Sequence, residues 1–154
     1  MKPYALVTGA SSGIGREFAL VLARNGYNLV LVARREVELE ELAEEVRPQG
    51  CEAVVIPKDL SLSSAPVEIY RELKGKAIEV EVLINNAGFG DFGFFHETDW
   101  RKEESMINLN VMALTRLTKL FGADMVARRQ GRVLNVASTA AFAPGPLMSV
   151  YYAT

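Results

Sequence analysis

Residues 8–15 read Thr-Gly-Ala-Ser-Ser-Gly-Ile-Gly, and they stand between two runs of different character. Ahead of them Tyr4-Ala5-Leu6-Val7 is short, apolar and β-leaning. Behind them residues 16–24 carry helical spacing and good helix formers. A buried strand that enters a helix through three glycines makes a βα unit with bare backbone at its turn. No Cβ then stands between that backbone and a bound pyrophosphate. The free N–H groups of the helix's first turn, with its positive dipole end, face the phosphate charge. Gly9, Ser11, Ser12, Gly13, Ile14 and Gly15 are the residues expected in such a cradle. Glycine also makes tight turns that bind nothing, so the context of the motif decides.

That context is regular along the chain. Apolar, β-rich runs at 28–33, 52–57, 80–84 and 131–136 alternate with helical stretches at 36–47, 65–74 and 100–129. The last stretch is expected to be broken or bent near its start. Such alternation predicts parallel βαβ units, an α/β fold with a doubly wound parallel sheet in strand order 3-2-1-4-5. Continuous apolar strands predict a sheet buried on both faces, in three α/β/α layers. Ligands of such sheets bind beyond the carboxyl ends of the strands, and every motif here falls at such an end. At 154 residues the chain reads as one domain with one core. A net charge of −2 without a basic stripe argues against a nucleic-acid partner. Apolar runs of strand length predict no membrane span. A strand entered within three residues leaves no room for a signal peptide, and the expected location is cytoplasmic. The single cysteine, Cys51, excludes an intrachain disulfide and reads as a small core or strand-start residue. His96 has no partners at ligand spacing, so no metal site is expected.

After the second strand, Ala33-Arg34-Arg35 offers no carboxylate to a ribose. An arginine fork suits a phosphate instead, so NADP(H) is expected in preference to NAD(H). Arg34 is the first choice, Arg35 and Arg16 are potential helpers, and a merely solvated arginine is the alternative. The spacing Gly9-x-x-x-Gly13-x-Gly15, Asn85-Asn86-Ala87-Gly88 after the fourth strand, Ser138 after the fifth and Tyr151 thirteen positions later together resemble the short-chain dehydrogenase/reductase family. The resemblance implies a nicotinamide cofactor lined by Asn86, Ala87 and Gly88, with Asn85 structural. It places Asp59 near the adenine amine, although a carboxylate there can instead cap the next loop. It makes Tyr151 the general acid/base and Ser138 the group that orients the substrate oxygen. It also gives Asn110 a structural, water-holding role, with Asn108 as the alternative.

In the family pattern Tyr-x-x-x-Lys the lysine falls one place beyond Thr154, where this sequence stops. Residues 1–154 therefore read as a single dinucleotide-binding domain without the family's C-terminal strands and substrate lid, leaving apolar sheet edge uncovered. Two functions fit such a chain. One is an NADP(H)-dependent oxidoreductase acting on a small-molecule carbonyl or secondary alcohol, such as a ketone, acyl thioester or steroid-like alcohol. The other is a non-catalytic NADP(H)-binding module or inactive fragment. A Rossmann-like methyltransferase would need neither Asn-Asn-Ala-Gly nor this Ser and Tyr. The aromatic run 89–95 reads as one wall of an apolar cleft or as packing over the sheet, with Phe142, Leu147 and Met148 opposite. Trp100 is expected to pack at its helix start. An apolar face of Val111, Leu114, Thr118 and Phe121 fits core packing or a subunit contact, and the resemblance implies a homodimer or homotetramer.

Overall fold

The run Asn28-Leu-Val-Leu-Val-Ala has no polar face because it has no solvent face: strand β2 (Asn28–Ala33) is buried at all six positions. It pairs in parallel with β1 (Tyr4–Thr8) on one side and β3 (Ala53–Pro57) on the other. β4 (Val80–Asn85) and β5 (Arg132–Asn135) continue the sheet beyond β1, giving the order β3-β2-β1-β4-β5. The computed structural model describes residues 2–154. The doubly wound α/β architecture expected of the sequence is the one observed.

Alternation along β1 divides the core. Ala5 and Val7 face the helices α1 (Gly13–Arg24) and α2 (Glu36–Val46), packing with Leu20, Leu39, Leu42 and Val46. Leu6 faces the opposite side, against α3 (Ala65–Gly75) and α5 (Leu114–Arg128), with Ile69, Leu73, Leu117 and Phe121. The crossing point of strand order lies between β1 and β4, and a crevice opens at their carboxyl ends.

The stretch 100–129 is not one uniform helix. α4 (Trp100–Ile107), N-capped by the Asp99 carboxylate accepting from Arg101 N at 3.0 Å, passes into a π-helical turn (Asn108–Ala113) and then into α5. A π turn adds a residue to the helical repeat and rotates the helix beyond it. The buried stripe runs from Ala113 of the π turn through Leu117, Phe121 and Met125 of α5, so Phe121 of the expected face is buried while Val111, Leu114 and Thr118 are only half-buried. Trp100 is 63% exposed and does not pack at its helix start. The aromatics Phe92, Phe94 and Phe95 likewise project outward, so the run 89–95 does not pack flat over the sheet. β5 departs most from a sheet buried on both faces: all four of its residues are exposed, and among the described residues β4 is its one strand neighbour and α5 the helix that touches it.

Candidate active site

The turn after β1 is built by close backbone approach. Gly9 sits at φ 68° and donates its N–H to Val32 O at 2.8 Å, which ties the turn to the end of β2. A Cβ on Gly15 would collide with the Gly9 carbonyl and the Asn86 amide, so the first turn of α1 can lie directly on the strand end only as glycine. Gly13, at φ 56°, has open space where its side chain would project. The N-cap Ser12 makes no side-chain capping hydrogen bond, and the first turn of α1 contains no acidic residue. Its amides therefore face the cleft without an anion of the protein's own.

Thr8 and Asn86 fasten this turn to β4. Thr8 Oγ1 donates to Ile84 O at 3.2 Å and accepts from Asn86 N and Ala87 N, each at 3.0 Å. Asn86 Nδ2 donates back to Thr8 O at 2.9 Å. Asn85 points the other way, its Nδ2 donating to Thr118 Oγ1 and Asn135 Oδ1, both at 2.9 Å. The paired asparagines thus stitch β4 to β1, β5 and α5, and Ala87 and Gly88 are left at the cleft.

Two adjoining clefts result, of about 420 and 390 Å³, and both are bordered by Ile14, Asn86, Ala87 and Gly88. The first also takes in Gly9, Ser11, Ser12, Arg34 and Asp59. Gly13 and Gly15 shape the turn beneath it without lining it. Arg34 makes no hydrogen bond or ion pair among the described residues, whereas Arg35 donates to Ser11 Oγ at 3.2 Å and Ser11 O at 3.3 Å and pairs with Glu38 at 2.9 Å. Arg16, considered as a helper, is outside the cleft: Glu45 of α2 holds its guanidinium. Asp59 Oδ1 accepts from Ser61 N at 2.9 Å and Ser61 Oγ at 2.8 Å, capping the loop while remaining at the cleft wall. Lys58 lines the same wall, paired with Glu68 at 3.0 Å. The Ser64 hydroxyl and then the Lys58 ammonium hold the Glu68 carboxyl below its ordinary value. Sequence reading passes over Lys58, although its place beside Asp59 at a strand end is the available signal.

The second cleft brings Asn110, Ser138 and Tyr151 together. Ser138 Oγ accepts from Ala140 N at 3.1 Å, capping a short 3₁₀ turn (Thr139–Phe142). Asn110 lies in the π turn. Its Oδ1 accepts from Phe89 N at 3.2 Å, and its Nδ2 donates to Phe89 O at 3.0 Å and Thr154 Oγ1 at 2.9 Å. Asn108 does not reach the cleft. Leu147 and Met148 border a small recess behind Tyr151, while Phe142 is 89% exposed and walls nothing. No three His, Cys, Asp or Glu side chains among the described residues gather as a metal site. No described helix is long and apolar enough to cross a membrane.

This geometry has close counterparts. A very-long-chain 3-oxoacyl-CoA reductase of Phaeosphaeria nodorum is 38% identical over 153 residues, 96% of this chain and 45% of the relative. The crystal structure of a bulky-bulky ketone specific alcohol dehydrogenase from Comamonas testosteroni superposes with a TM-score of 0.91 at 37% identity, over 98% of this chain and 61% of that one. A short-chain dehydrogenase from Sphingobium yanoikuyae, solved in complex with NADPH, gives 0.91 at 38% identity over 98% and 59%. The chain spans about half the length of the curated relatives it matches. The sequence pattern of the family described as short chain dehydrogenase fits residues 3–154, from the start of β1 to the last residue of the chain. The glycine turn, the asparagine stitching and the cleft between them thus have one source: the chain belongs to the short-chain dehydrogenase/reductase family of oxidoreductases.

Proposed function

We propose that residues 1–154 form a single dinucleotide-binding domain that takes NADP(H) and reduces, or reversibly oxidises, a small-molecule carbonyl or secondary alcohol. The observation that carries this reading is the pair of adjoining clefts that share Ile14, Asn86, Ala87 and Gly88, with an unpaired arginine and uncapped helix amides at one and a Ser-Tyr-Asn group at the other. The residues fit the cofactor. Uncapped amides of α1 suit its pyrophosphate, the open side of Gly13 leaves room for it, and Arg34 suits a ribose 2′-phosphate better than a free ribose. Bound there, the cofactor supplies or accepts a hydride at the substrate carbon. The chain's own residues manage the oxygen. Ser138 Oγ already accepts from Ala140 N, so its O–H is free to donate to the substrate oxygen and orient it. Tyr151 gives that oxygen its proton in reduction and recovers it in oxidation. Asn110 holds the Phe89 backbone that floors the cleft.

The relatives named for a 3-oxoacyl thioester and for bulky ketones support a carbonyl with sizeable apolar substituents. The outward aromatics Phe92, Phe94 and Phe95, on the loop that leaves the cleft, support the same class. The test is a titration of the full chain with NADPH and with NADH, followed by turnover of bulky ketones and 3-oxoacyl thioesters. Tighter NADPH binding is expected, and Tyr151→Phe should lower kcat by about 10²–10⁴-fold without weakening the cofactor. Equal affinities would remove the role given to Arg34. Tight NADPH binding without turnover of any carbonyl would leave a cofactor-binding module.

A further inference from the structure

We infer that Gly90 is a positioning residue for Tyr151: the loop after β4 is a flat shelf on which the tyrosine ring rests, and a side chain at position 90 would move the ring. The inference rests on the oxidoreductase reading only for its kinetic consequences. The shelf is fastened at both ends. Asn110 grips both backbone groups of Phe89, at 3.2 and 3.0 Å, immediately before Gly90. Three residues on, Gly93 N donates to Leu147 O at 2.8 Å, joining the loop to the segment that leads into Tyr151. Leu147 is held at φ 65°, a left-handed conformation that a leucine keeps only where its surroundings impose it.

Between these fasteners Gly90 offers bare backbone to the ring. A Cβ there would lie 3.1 Å from Tyr151 Cδ2, 3.2 Å from Cγ and 3.4 Å from Met148 Cε. Met148 can swing its methyl aside. The Tyr151 contact is with the root of the ring, which has no comparable freedom. Gly90 is outside the left-handed φ region, so space and not backbone conformation is what demands glycine here. Tyr151 stands on α6 (Ser149–Ala153). The ring must give by a few tenths of an ångström, and a displacement at its root is carried to the hydroxyl; since a misplacement of about 1 Å at a reacting group lowers rate by about 100-fold, the loss expected here is several-fold.

The test is Gly90→Ala in the full chain. The expected result is a kcat lowered about three- to ten-fold with the NADPH dissociation constant within about two-fold of the parent. In a Tyr151→Phe background the same substitution should add no further loss, because the group it displaces has already gone. Parent-like turnover, or an equal loss in both backgrounds, would overturn the inference. Should the parent turn over no carbonyl, the oxidoreductase reading fails separately, and crystal structures decide about Gly90: a displaced ring in Gly90→Ala supports it, an unmoved ring refutes it. If Gly90→Ala is too unstable to assay, the double variant Gly90→Ala/Tyr151→Ala should recover the melting temperature by removing the colliding ring. Failure to recover would place the clash elsewhere and refute the inference.

Discussion

Arg34 and Arg35 are adjacent in sequence and differ in what holds them. Arg35 is committed to the protein: it spans to both oxygens of Ser11 and pairs with Glu38, so it steadies the glycine turn from the end of β2. Arg34 has no such partner among the described residues and stands at the cleft. On the NADP(H) reading, Arg34→Ala removes charge-assisted hydrogen bonds that only the 2′-phosphate can accept, each contributing about 1.5–3 kcal/mol. NADPH binding should therefore weaken about 10- to 100-fold while NADH binding changes little. Arg35→Ala should act through Ser11 on the turn both cofactors share, weakening them by the same factor. Fluorescence titration of the two variants with both cofactors checks the pair. A selective NADPH loss from Arg35→Ala, with none from Arg34→Ala, would exchange their roles.

The π turn between α4 and α5 decides which side of a long helix meets the sheet. Downstream of it Leu117 is 1% exposed, in a stripe with Ala113, Phe121 and Met125, whereas Leu114 sits at the edge of the cleft and is only half-buried. Truncating a fully buried leucine removes transfer energy and leaves a cavity, together about 2–5 kcal/mol. Leu117→Ala should therefore lower unfolding free energy by about 2–5 kcal/mol and Leu114→Ala by clearly less, as measured by urea denaturation. Regular 3.6-residue spacing places Phe121 in the core, as observed, but passes over Leu117 and centres the face on Leu114 and Thr118, which are only half-buried. The extra residue of the π turn accompanies a tertiary contact, the grip of Asn110 on the Phe89 backbone, and no local periodicity encodes that contact. Strand order is different: it is legible, with the end of the sheet that carries the motifs, from the βα alternation, because crossover handedness leaves few alternatives. Exposure is not legible in the same way. Trp100, Phe142 and the apolar residues of β5 read as apolar wherever they are, and only their neighbours determine whether anything covers them. Arg16 reads as a potential helper to Arg34 until Glu45, distant in sequence, is seen to hold it.

The two edges of the sheet differ, and the difference governs how these 154 residues behave together. β3 lies under α2, and Glu52, just before it, accepts a 2.5 Å hydrogen bond from Tyr4 of β1, so that edge is packed and anchored. Among the described residues β5 has one strand neighbour, β4, and it exposes Val133 at 40% and Leu134 at 41%, one on each face. Its other side presents unpaired backbone N–H and C=O groups flanked by apolar side chains, the arrangement that templates pairing with another chain. Lysine on such an edge opposes pairing by charge and by the need to keep its ammonium hydrated. A protein of residues 1–154 should therefore self-associate as its concentration rises, and Val133→Lys or Leu134→Lys should restore a monomer without changing the melting temperature much, because neither residue belongs to the two core clusters. Size-exclusion chromatography with light scattering, across a hundredfold range of concentration, reads the outcome. A wild-type chain that stays monomeric throughout would mean the β5 edge is protected by its twist or by the 143–148 segment. Association unchanged by either lysine would move the contact to the outward aromatics of the 89–95 loop.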